Sequence, residues 1–392
     1  MIAVCPAAVC PGSPVLRISL SNHHLQRELK LAKIITTRGP INPSELGFTS
    51  MHEHTLFDAR FMRKRYEAFL PEDGPVKPED PLSLSNLGIL KHGFILSNDL
   101  LIMKDEALIT EELADFKAMG GSAVVDMSSP GLRVDPLSLQ RISQDSDVHV
   151  VAPTGFYSRD SWPERFWSMT VDAMIEFMRG EIDHGIDETE VMPGHVKIAV
   201  DDKTLEDEVN ALRAGIRVAG ETGYSLTVHQ GMLLEPEDGI WIADIIKEEG
   251  LDMSRVVIAH NDAKCASRIL KELILNPKAR EMNLTYALEL LDRGANLSVD
   301  CFGHYWDAEA LGFTNINDWQ RIVILKELIE AGYEDQLVIG TDTFIKFLLR
   351  RYGGEGYCRL LVYTVPILKE IGIPEDTIYK ITTANPARIL AC

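Results

Sequence analysis

Cysteine, basic charge and long apolar runs are all scarce in this sequence, and each absence excludes a class of protein. The six cysteines among 392 residues are scattered without a CxxC pair, which indicates free thiols in a reducing compartment rather than a disulfide framework. No stretch reaches the roughly 18 uninterrupted apolar residues of a membrane span. The N-terminal segment is mildly apolar but lacks a basic start and is broken by prolines, which argues against a signal peptide. We therefore expect a cytoplasmic protein.

Basic residues are outnumbered throughout the chain. Lys and Arg together number 39, against 59 Asp and Glu, which gives a formal net charge of −20. A nucleic-acid backbone and an anionic membrane surface are both bound by basic protein surface. The charge therefore argues against nucleic acid and membranes as partners, and it leaves a small-molecule substrate as the expected one.

A dinucleotide-binding fingerprint is also missing, because no GxGxxG motif follows the first predicted strand. Short apolar, β-branched runs alternate instead with longer segments of helical spacing. Eight such repeats predict an α/β fold, a single (β/α)8 TIM barrel, with a doubly wound open sheet as the alternative. The predicted strands are 47–55, 122–128, 147–154, 195–201, 225–230, 255–261, 295–301 and 336–342. The clearest helical segments are 110–120, 171–182, 205–223, 240–250, 286–294 and 319–332.

Two segments fall outside the strand–helix repeat. Residues 1–33 are predicted to be an N-terminal extension ahead of the barrel domain at 34–392, and residues 34–37 predict a short extra strand near the barrel floor. Residues 58–106 form a long insertion after the first strand. A long loop in a compact domain is usually functional or disordered, and this one can overhang the barrel mouth.

Ionisable side chains collect at the carboxyl ends of five predicted strands, where barrel enzymes carry their chemistry. Because side chains alternate along a strand, His52 and His54 point the same way and Glu53 points away. Each residue alone has an ordinary structural explanation, such as a core histidine, a lysine that reaches solvent or an aspartate that caps a helix. Their coincidence favours one shared site. The candidate metal ligands are His52, His54, Lys197, His229, His260 and Asp342.

The chemistry of this set indicates two divalent metal ions. Imidazole and carboxylate ligands suit Zn, with Mn, Co and Fe as alternatives. Lys197 is the exception, because an ammonium group repels cations, and buried beside metals it would lose its proton. A neutral amine can add CO2, so we expect an N6-carboxylated Lys197 whose two carbamate oxygens bridge the metal ions.

From about residue 34 to its end, the chain resembles the phosphotriesterase family of the amidohydrolase superfamily. The segment TTRGPINPSELGFTSMHEHTLFD at 36–58 is similar to the opening signature of that family. Every metal-ligand position of the family is filled. Further matches are TGFY at 154–157, GHVKIA at 194–199, TVHQG at 227–231, IAHND at 258–262, GTDT at 340–343, YGGEGY at 352–357 and NPARIL at 385–390.

The resemblance implies a division of the ligands and a hydrolytic mechanism. A bridging hydroxide would attack a carbonyl or phosphoryl centre that one metal ion polarises, and Asp342 would take the proton from it. One metal ion would be held by His52, His54 and Asp342, the other by His229 and His260, with carboxylated Lys197 between them.

Two further residues gain candidate catalytic roles from the resemblance. Asp262 would relay the proton or orient a ligand. Tyr157, at the end of the third strand, resembles a tyrosine that lactonase members place beside the metals, although packing at the barrel rim explains it equally well. The family often forms dimers, so a homodimer is an open expectation.

Departures from the family pattern bear on the substrate. Phosphotriesterase-like members tend to carry His or Arg directly after the Asp of the seventh strand, whereas Asp300 is followed here by Cys301. The YGGEGY segment is similar to the phosphotriesterase-related branch, some of which cleave small N-acyl amides, but that branch often has Glu where this chain has Lys197. Arg350 and Arg351, followed by Tyr352, could bind an anionic substrate group or simply end a solvated helix.

Several functions stay open on the sequence alone. The first is a hydrolase acting on a carboxylic ester, with a lactone as the leading substrate on family frequency. N-acyl amides and phosphotriesters are alternatives for the same site. A non-catalytic metal-binding barrel predicts at least one missing ligand, and none is missing. A Schiff-base enzyme using Lys197 leaves the histidines unexplained.

Overall fold

Eight short parallel strands form a buried ring at the centre of the protein. The computed structural model describes residues 32–70, 73–231 and 234–392, so nearly all of the predicted extension at 1–33 lies outside the described residues. The third strand is broken at Ala152, where the predicted strand 147–154 becomes two segments. In chain order the strands are Thr49–Glu53, Ala123–Asp126, His149–Val151 continued by Pro153–Phe156, His195–Val200, Leu226–Gln230, Val256–Ile258, Asn296–Val299 and Leu337–Ile339.

Each strand pairs in parallel with its neighbours in chain order. The ring closes after the eighth strand, where the backbone N–H of Asp342 donates to the carbonyl oxygen of His52 across 2.8 Å. The strands are almost entirely buried because they face the barrel interior on one side and helices on the other. The predicted TIM barrel is confirmed.

Helices cover the outside of the ring and agree with the six predicted helical segments to within a few residues. One barrel helix, Pro136–Ser146, lies between the second and third strands, outside the six clearest predicted segments, and Asp135 caps it through the N–H groups of Leu137 and Ser138. Shorter helices span Phe61–Arg65, Leu87–His92, Asn261–Lys264 and Leu270–Leu275. The longer helices span Glu106–Ala118, Pro136–Ser146, Val171–His184, Glu206–Thr222, Pro236–Glu248, Thr285–Asp292 and Asp318–Glu330. Three further short helices follow them, Val365–Glu370, Glu375–Tyr379 and Asn385–Leu390.

A small hairpin lies at the amino ends of the barrel strands. Its strands are Ile34–Thr36 and Gly39–Ile41. Gly194, which precedes the fourth strand, approaches the carbonyl of Ile35 so closely that a Cβ there would lie 2.1 Å from the oxygen. The predicted extra strand near the barrel floor is therefore confirmed.

The insertion at 58–106 contains regular structure. Its two ends pair as antiparallel strands, Phe57–Asp58 with Ile102–Met103. The short helices Phe61–Arg65 and Leu87–His92 lie between them, and the side chain of Phe94 is buried. The insertion therefore supplies a folded wall beside the barrel mouth.

Among the helices in the described residues, none combines the length and the apolar character needed to cross a bilayer.

Candidate metal centre

The first strand and the end of the eighth strand bring three donor side chains together. The Nε2 atom of His54 lies 3.4 Å from Oδ1 of Asp342, and Nε2 of His52 lies 3.6 Å from the same oxygen. Two ligands about 2.1 Å from one tetrahedral ion are separated by about 3.4 Å. All three side chains are buried. Each of these two histidines is therefore placed to share an ion with Asp342, and a donor atom of His260 also lies within 4.8 Å of donors of His52 and Asp342.

His229 and His260 form a second donor pair. The Nδ1 atom of His229 and Nε2 of His260 face each other across 2.7 Å. Their outer nitrogens lie against carboxylates: Nδ1 of His260 is 2.7 Å from Asp300, and Nε2 of His229 is 3.4 Å from Asp201. Metal-bound histidines characteristically donate their outer N–H to a carboxylate, which leaves the inner lone pair for the metal. The outer nitrogens of this pair are placed for that role, and the inner nitrogens lie at hydrogen-bond distance from each other.

Asp300 joins the two donor groups. Besides its contact with His260, its Oδ2 atom lies 3.2 Å from Nδ1 of His52. Burial opposes ionisation of Asp300, but the two adjacent histidines outweigh it and hold the pKa of this carboxyl well below its usual range. Asp300 is therefore a permanent anion that orients one ligand of each group.

Lys197 lies on the fourth strand with an unusual lack of partners. Its Nζ atom is buried and has no hydrogen-bond partner among the described residues. Burial lowers the pKa of the ammonium to about 8, against the opposing pull of Asp342, Asp300 and Asp201. An unpaired buried amine costs free energy in a folded protein. A carbamate formed from this amine, with its oxygens on two metal ions, would account for the missing partner.

The position of Lys197 depends on a glycine in the neighbouring strand. Gly155 has a φ of +125°, and a Cβ built on it would lie 2.1 Å from the carbonyl oxygen of Lys197. Only glycine allows this close approach. The TGFY motif thus has a structural role in seating the fourth strand.

Three residues of the site have a backbone conformation that non-glycine residues rarely adopt. His260, Cys301 and Asp342 have φ values of 60°, 61° and 51°. Each stands just beyond the sixth, seventh or eighth strand, and such conformations cost of order 1–3 kcal/mol each. The surrounding structure stabilises these conformations at the points where the chain leaves a strand and a side chain enters the barrel mouth.

Cys301 contacts the same carboxylates as the histidines. Its Sγ atom lies 3.4 Å from Oδ2 of Asp342 and 3.4 Å from Oδ1 of Asp300. Burial, reinforced by these two carboxylates, raises the pKa of the thiol well above its usual value. Cys301 is therefore a neutral thiol that donates toward Asp342, a smaller and uncharged group where family members tend to carry His or Arg.

Asp262 and Tyr157 line the cavity over the donor atoms. Oδ2 of Asp262 accepts from Nε of Arg321 at 2.7 Å, and its Oδ1 atom is buried without a hydrogen-bond partner in the described part of the chain. The Tyr157 ring centroid lies 5.2 Å from that of His229. Burial raises the pKa of Tyr157, so its hydroxyl is a neutral donor. Both residues line the cavity, and their catalytic roles stay predictions.

The loop at 350–352 lies away from the cavity. Arg350 pairs with Asp115 at 2.5 Å, and the backbone N–H groups of Arg350 and Arg351 donate to Glu112. None of the three residues at 350–352 is among those that line the cavity. The structure therefore favours the structural explanation of Arg350, Arg351 and Tyr352 over anion binding.

Asp201 and Arg65 belong to the site although the sequence prediction did not include them. Asp201 contacts the outer nitrogen of His229, and Arg65 from the insertion donates to Asp201 at 2.6 Å. The strand-end rule could have found Asp201, because it directly follows the fourth strand. No local pattern reveals Arg65, whose contact spans 136 residues.

We expect Asp201→Asn to weaken metal binding by about 10- to 100-fold, because it removes the charge that orients His229. Chelator competition at fixed pH measures the loss. Asp202→Asn is the matched control, because the carboxylate of Asp202 is exposed and accepts hydrogen bonds from the backbone N–H and the hydroxyl of Thr204. Equal metal affinity in both variants would contradict this role of Asp201.

Arg321 carries a separate prediction about stability. It is fully buried and pairs with Asp262 and Asp318. Arg321→Met would leave both carboxylates without this partner, so we expect the free energy of unfolding to fall by about 3–5 kcal/mol. Urea unfolding measures it. Lys326→Met is the control, because it breaks an exposed ion pair on the same helix and should cost less than about 0.5 kcal/mol. Comparable losses of unfolding free energy in the two variants would contradict the prediction.

The chain is similar to proteins of a known family along nearly its whole length. A model described as the Phosphotriesterase family matches residues 32–390. The N-acetyltaurine hydrolase of Homo sapiens is 29% identical over 366 residues, covering 91% of this chain and 97% of that protein. The phosphotriesterase-related protein of Nematostella vectensis is 30% identical over 356 residues, covering 90% and 96%.

Solved structures show the same fold. A resiniferatoxin-binding protein from Rhodobacter sphaeroides superimposes with a TM-score of 0.80 at 26% identity, covering 93% of this chain and 96% of that one. A lactonase from Listeria monocytogenes superimposes with a TM-score of 0.71 at 22% identity, covering 91% and 98%. At that identity the lactonase shares the fold alone.

Proposed function

The chain belongs to the phosphotriesterase family of hydrolases, and on that premise we propose that it uses two divalent metal ions to hydrolyse the amide bond of an N-acyl substrate. The observation that carries the metal assignment is the donor set itself. Four imidazoles and Asp342 converge at the barrel mouth around a buried lysine amine that has no hydrogen-bond partner in the part of the chain that the structure describes. The amide is favoured over the lactone because relatives named N-acetyltaurine hydrolase align over 91% of the chain.

The residues present fit two ions. His52, His54 and Asp342 would hold one, and His229 and His260 the other, with carboxylated Lys197 shared between them. Zn is the first choice for imidazole and carboxylate ligands, with Mn, Co and Fe as alternatives. When bound, such ions lower the pKa of a water molecule toward neutrality and polarise the substrate carbonyl.

The remaining chemistry belongs to the protein's own side chains. Asp342 is the carboxylate that lies against both His52 and His54, so it is placed to accept the proton of the attacking water. An amine leaves readily only after its nitrogen is protonated, and the same carboxyl can return that proton. Asp262, whose Oδ1 faces no hydrogen-bond donor in the described residues, is placed to accept the next proton or to orient the leaving amine.

A lactone is the second candidate, and Tyr157 is compatible with it. Its neutral hydroxyl lies in the cavity beside His229, where it could donate to the ring oxygen or carbonyl oxygen of a lactone. The same group could donate to an amide carbonyl. Tyr157 therefore supports hydrolysis at a carbonyl centre and does not by itself choose between the two bonds.

One metal-loaded preparation tests the proposal. Elemental analysis is expected to find close to two transition-metal ions per chain, and a hydrolysis screen of N-acyl amides, lactones and phosphotriesters is expected to find its largest kcat/KM among the amides. A fully active enzyme without metal would overturn the metal assignment. Hydrolysis of lactones with no cleavage of any amide would overturn the amide and establish the second candidate.

A further inference from the structure

We infer that Ser128 positions the candidate metal ligand His54, and that the buried carboxylate of Asp126 holds Ser128 in place. The inference rests on the proposed function, because it concerns an imidazole that would bind one of the two metal ions. Neither Ser128 nor Asp126 is among the residues that line the cavity. Both are therefore positioning residues, which would act through His54 without touching the substrate.

His54 contacts Ser128 through the ring nitrogen that points away from the other donor atoms. Its Nδ1 atom lies 2.9 Å from Oγ of Ser128, whereas its Nε2 atom lies 3.4 Å from Oδ1 of Asp342. A neutral imidazole carries one proton, so Nε2 can offer its lone pair to a metal ion only when the proton is on Nδ1. The hydroxyl oxygen of Ser128 then accepts the hydrogen bond from Nδ1. Ser128 thus supplies the acceptor that the metal-binding tautomer of His54 requires.

The partner of His54 differs in kind from those of the other three candidate histidines. Their outer nitrogens lie against the carboxylates of Asp300 and Asp201. A carboxylate attracts an N–H group by its charge, whereas the hydroxyl of Ser128 is neutral and can donate as well as accept. The orientation of His54 therefore depends on where the fold places Ser128.

Asp126, at the end of the second strand, fixes that place. Its Oδ1 atom accepts from the backbone N–H of Ser128 at 2.7 Å. Its Oδ2 atom accepts from the backbone N–H of Thr55 at 2.8 Å and also from the hydroxyl of Thr55. Thr55 directly follows His54 in the chain. One carboxylate therefore holds the backbone on both sides of the contact between His54 and Ser128.

The hydrogen bonds among these four residues are shielded from water. Thr55, Asp126 and Ser128 are completely buried, and His54 is 3% exposed. A buried polar atom that loses its partner cannot replace it with bulk water. Without the hydroxyl of Ser128, Nδ1 of His54 would lose the acceptor seen in the structure, and the metal-binding tautomer would be disfavoured.

Ser128→Ala, made in the full-length chain, tests the role of the hydroxyl. We expect one of the two zinc ions to bind about tenfold more weakly in chelator competition, at the low end of the range for partners of ligand histidines. The visible absorption of the cobalt-loaded variant should also change, because it reports the donors around the ion. At saturating zinc, kcat should return toward the wild-type value, since Ser128 does not touch the substrate.

The adjacent serine provides a matched control. Ser129 is as completely buried as Ser128, but its hydroxyl has no hydrogen-bond partner in the described part of the chain. Ser129→Ala should therefore bind both zinc ions with wild-type affinity and leave the cobalt spectrum unchanged. The pair of variants separates loss of the contact with His54 from loss of a buried hydroxyl.

A double-mutant cycle tests whether Asp126 acts through Ser128. Asp126→Asn should also weaken zinc binding, and the double variant with Ser128→Ala should lose no more affinity than the weaker-binding single variant. Thr55→Val, which removes one hydroxyl bonded to Asp126, takes the place of Asp126→Asn if the latter does not fold. Losses that add fully would overturn the role assigned to Asp126.

The remaining outcomes distinguish this inference from the proposed function. If the wild-type protein binds two zinc ions and the Ser128→Ala and Ser129→Ala variants bind them equally well, the inference is overturned and the proposed function stands. If the wild-type protein binds no transition-metal ion, the proposed function fails and this inference fails with it.

Discussion

Lys197→Ala is expected to lower kcat/KM about a thousandfold, which corresponds to about 4 kcal/mol of transition-state stabilisation. The reason is the environment of the Nζ atom, which is buried, has no hydrogen-bond partner among the described residues, and lies within the field of Asp342, Asp300 and Asp201. Under the proposed function this lysine would be carboxylated, and its carbamate would supply oxygens to the two metal ions. Steady-state kinetics and metal content, measured on the same preparation, check the expectation.

Chemical rescue separates this role from a packing defect. Formate, acetate or propionate should restore part of the activity and metal content of Lys197→Ala, because a small carboxylate can occupy the place of the carbamate. The same additives should not restore His229→Ala, and Lys203→Ala, which removes a half-exposed lysine, should keep full activity. Full activity of Lys197→Ala with unchanged metal content would end the carbamate proposal, and borohydride trapping of substrate on Lys197 would favour the Schiff base instead.

The strand-end placement of the site could be predicted because it follows from two local rules. Alternation along a strand directs His52 and His54 to the same side, and the carboxyl ends of barrel strands form one mouth. Both rules need only the sequence position of a residue within its strand. They hold for His229, the fourth of five residues in Leu226–Gln230, but not for Lys197, which is the third of six residues in His195–Val200 and lies within its strand.

Long-range and backbone features could not be predicted in this way. The positive φ values of His260, Cys301 and Asp342 have no signature in residue type, because each is imposed by packing around the strand end. The Arg65–Asp201 contact joins residues 136 positions apart. The helix Pro136–Ser146 differs from these, because the Asp-Pro pair at 135–136 is a recognisable helix start that the periodicity alone did not reveal.

Asp342→Asn is expected to lower kcat by about 10²- to 10⁴-fold, the range associated with a positioned proton-transfer group. Asparagine preserves the shape of the side chain but loses its charge and its capacity to hold a proton. Oδ1 of Asp342 is the atom shared by His52 and His54, and Oδ2 faces the thiol of Cys301. The neighbouring histidines overcome burial and hold the pKa of this carboxyl well below its usual range, so it is ionised before the reaction begins.

The same variant also weakens one metal site, so kinetics must be compared at saturating metal. If the kcat loss persists there, proton transfer is lost as well as a ligand; if added metal restores kcat, Asp342 acts as a ligand only. Glu112→Gln is the matched control, because Glu112 is a buried carboxylate outside the cavity that accepts from the backbone N–H groups of Arg350 and Arg351. We expect it to lower the free energy of unfolding and leave kcat unchanged. A comparable kcat loss in both variants would mean that burial of a carboxylate, and not its position against His52 and His54, accounts for the effect.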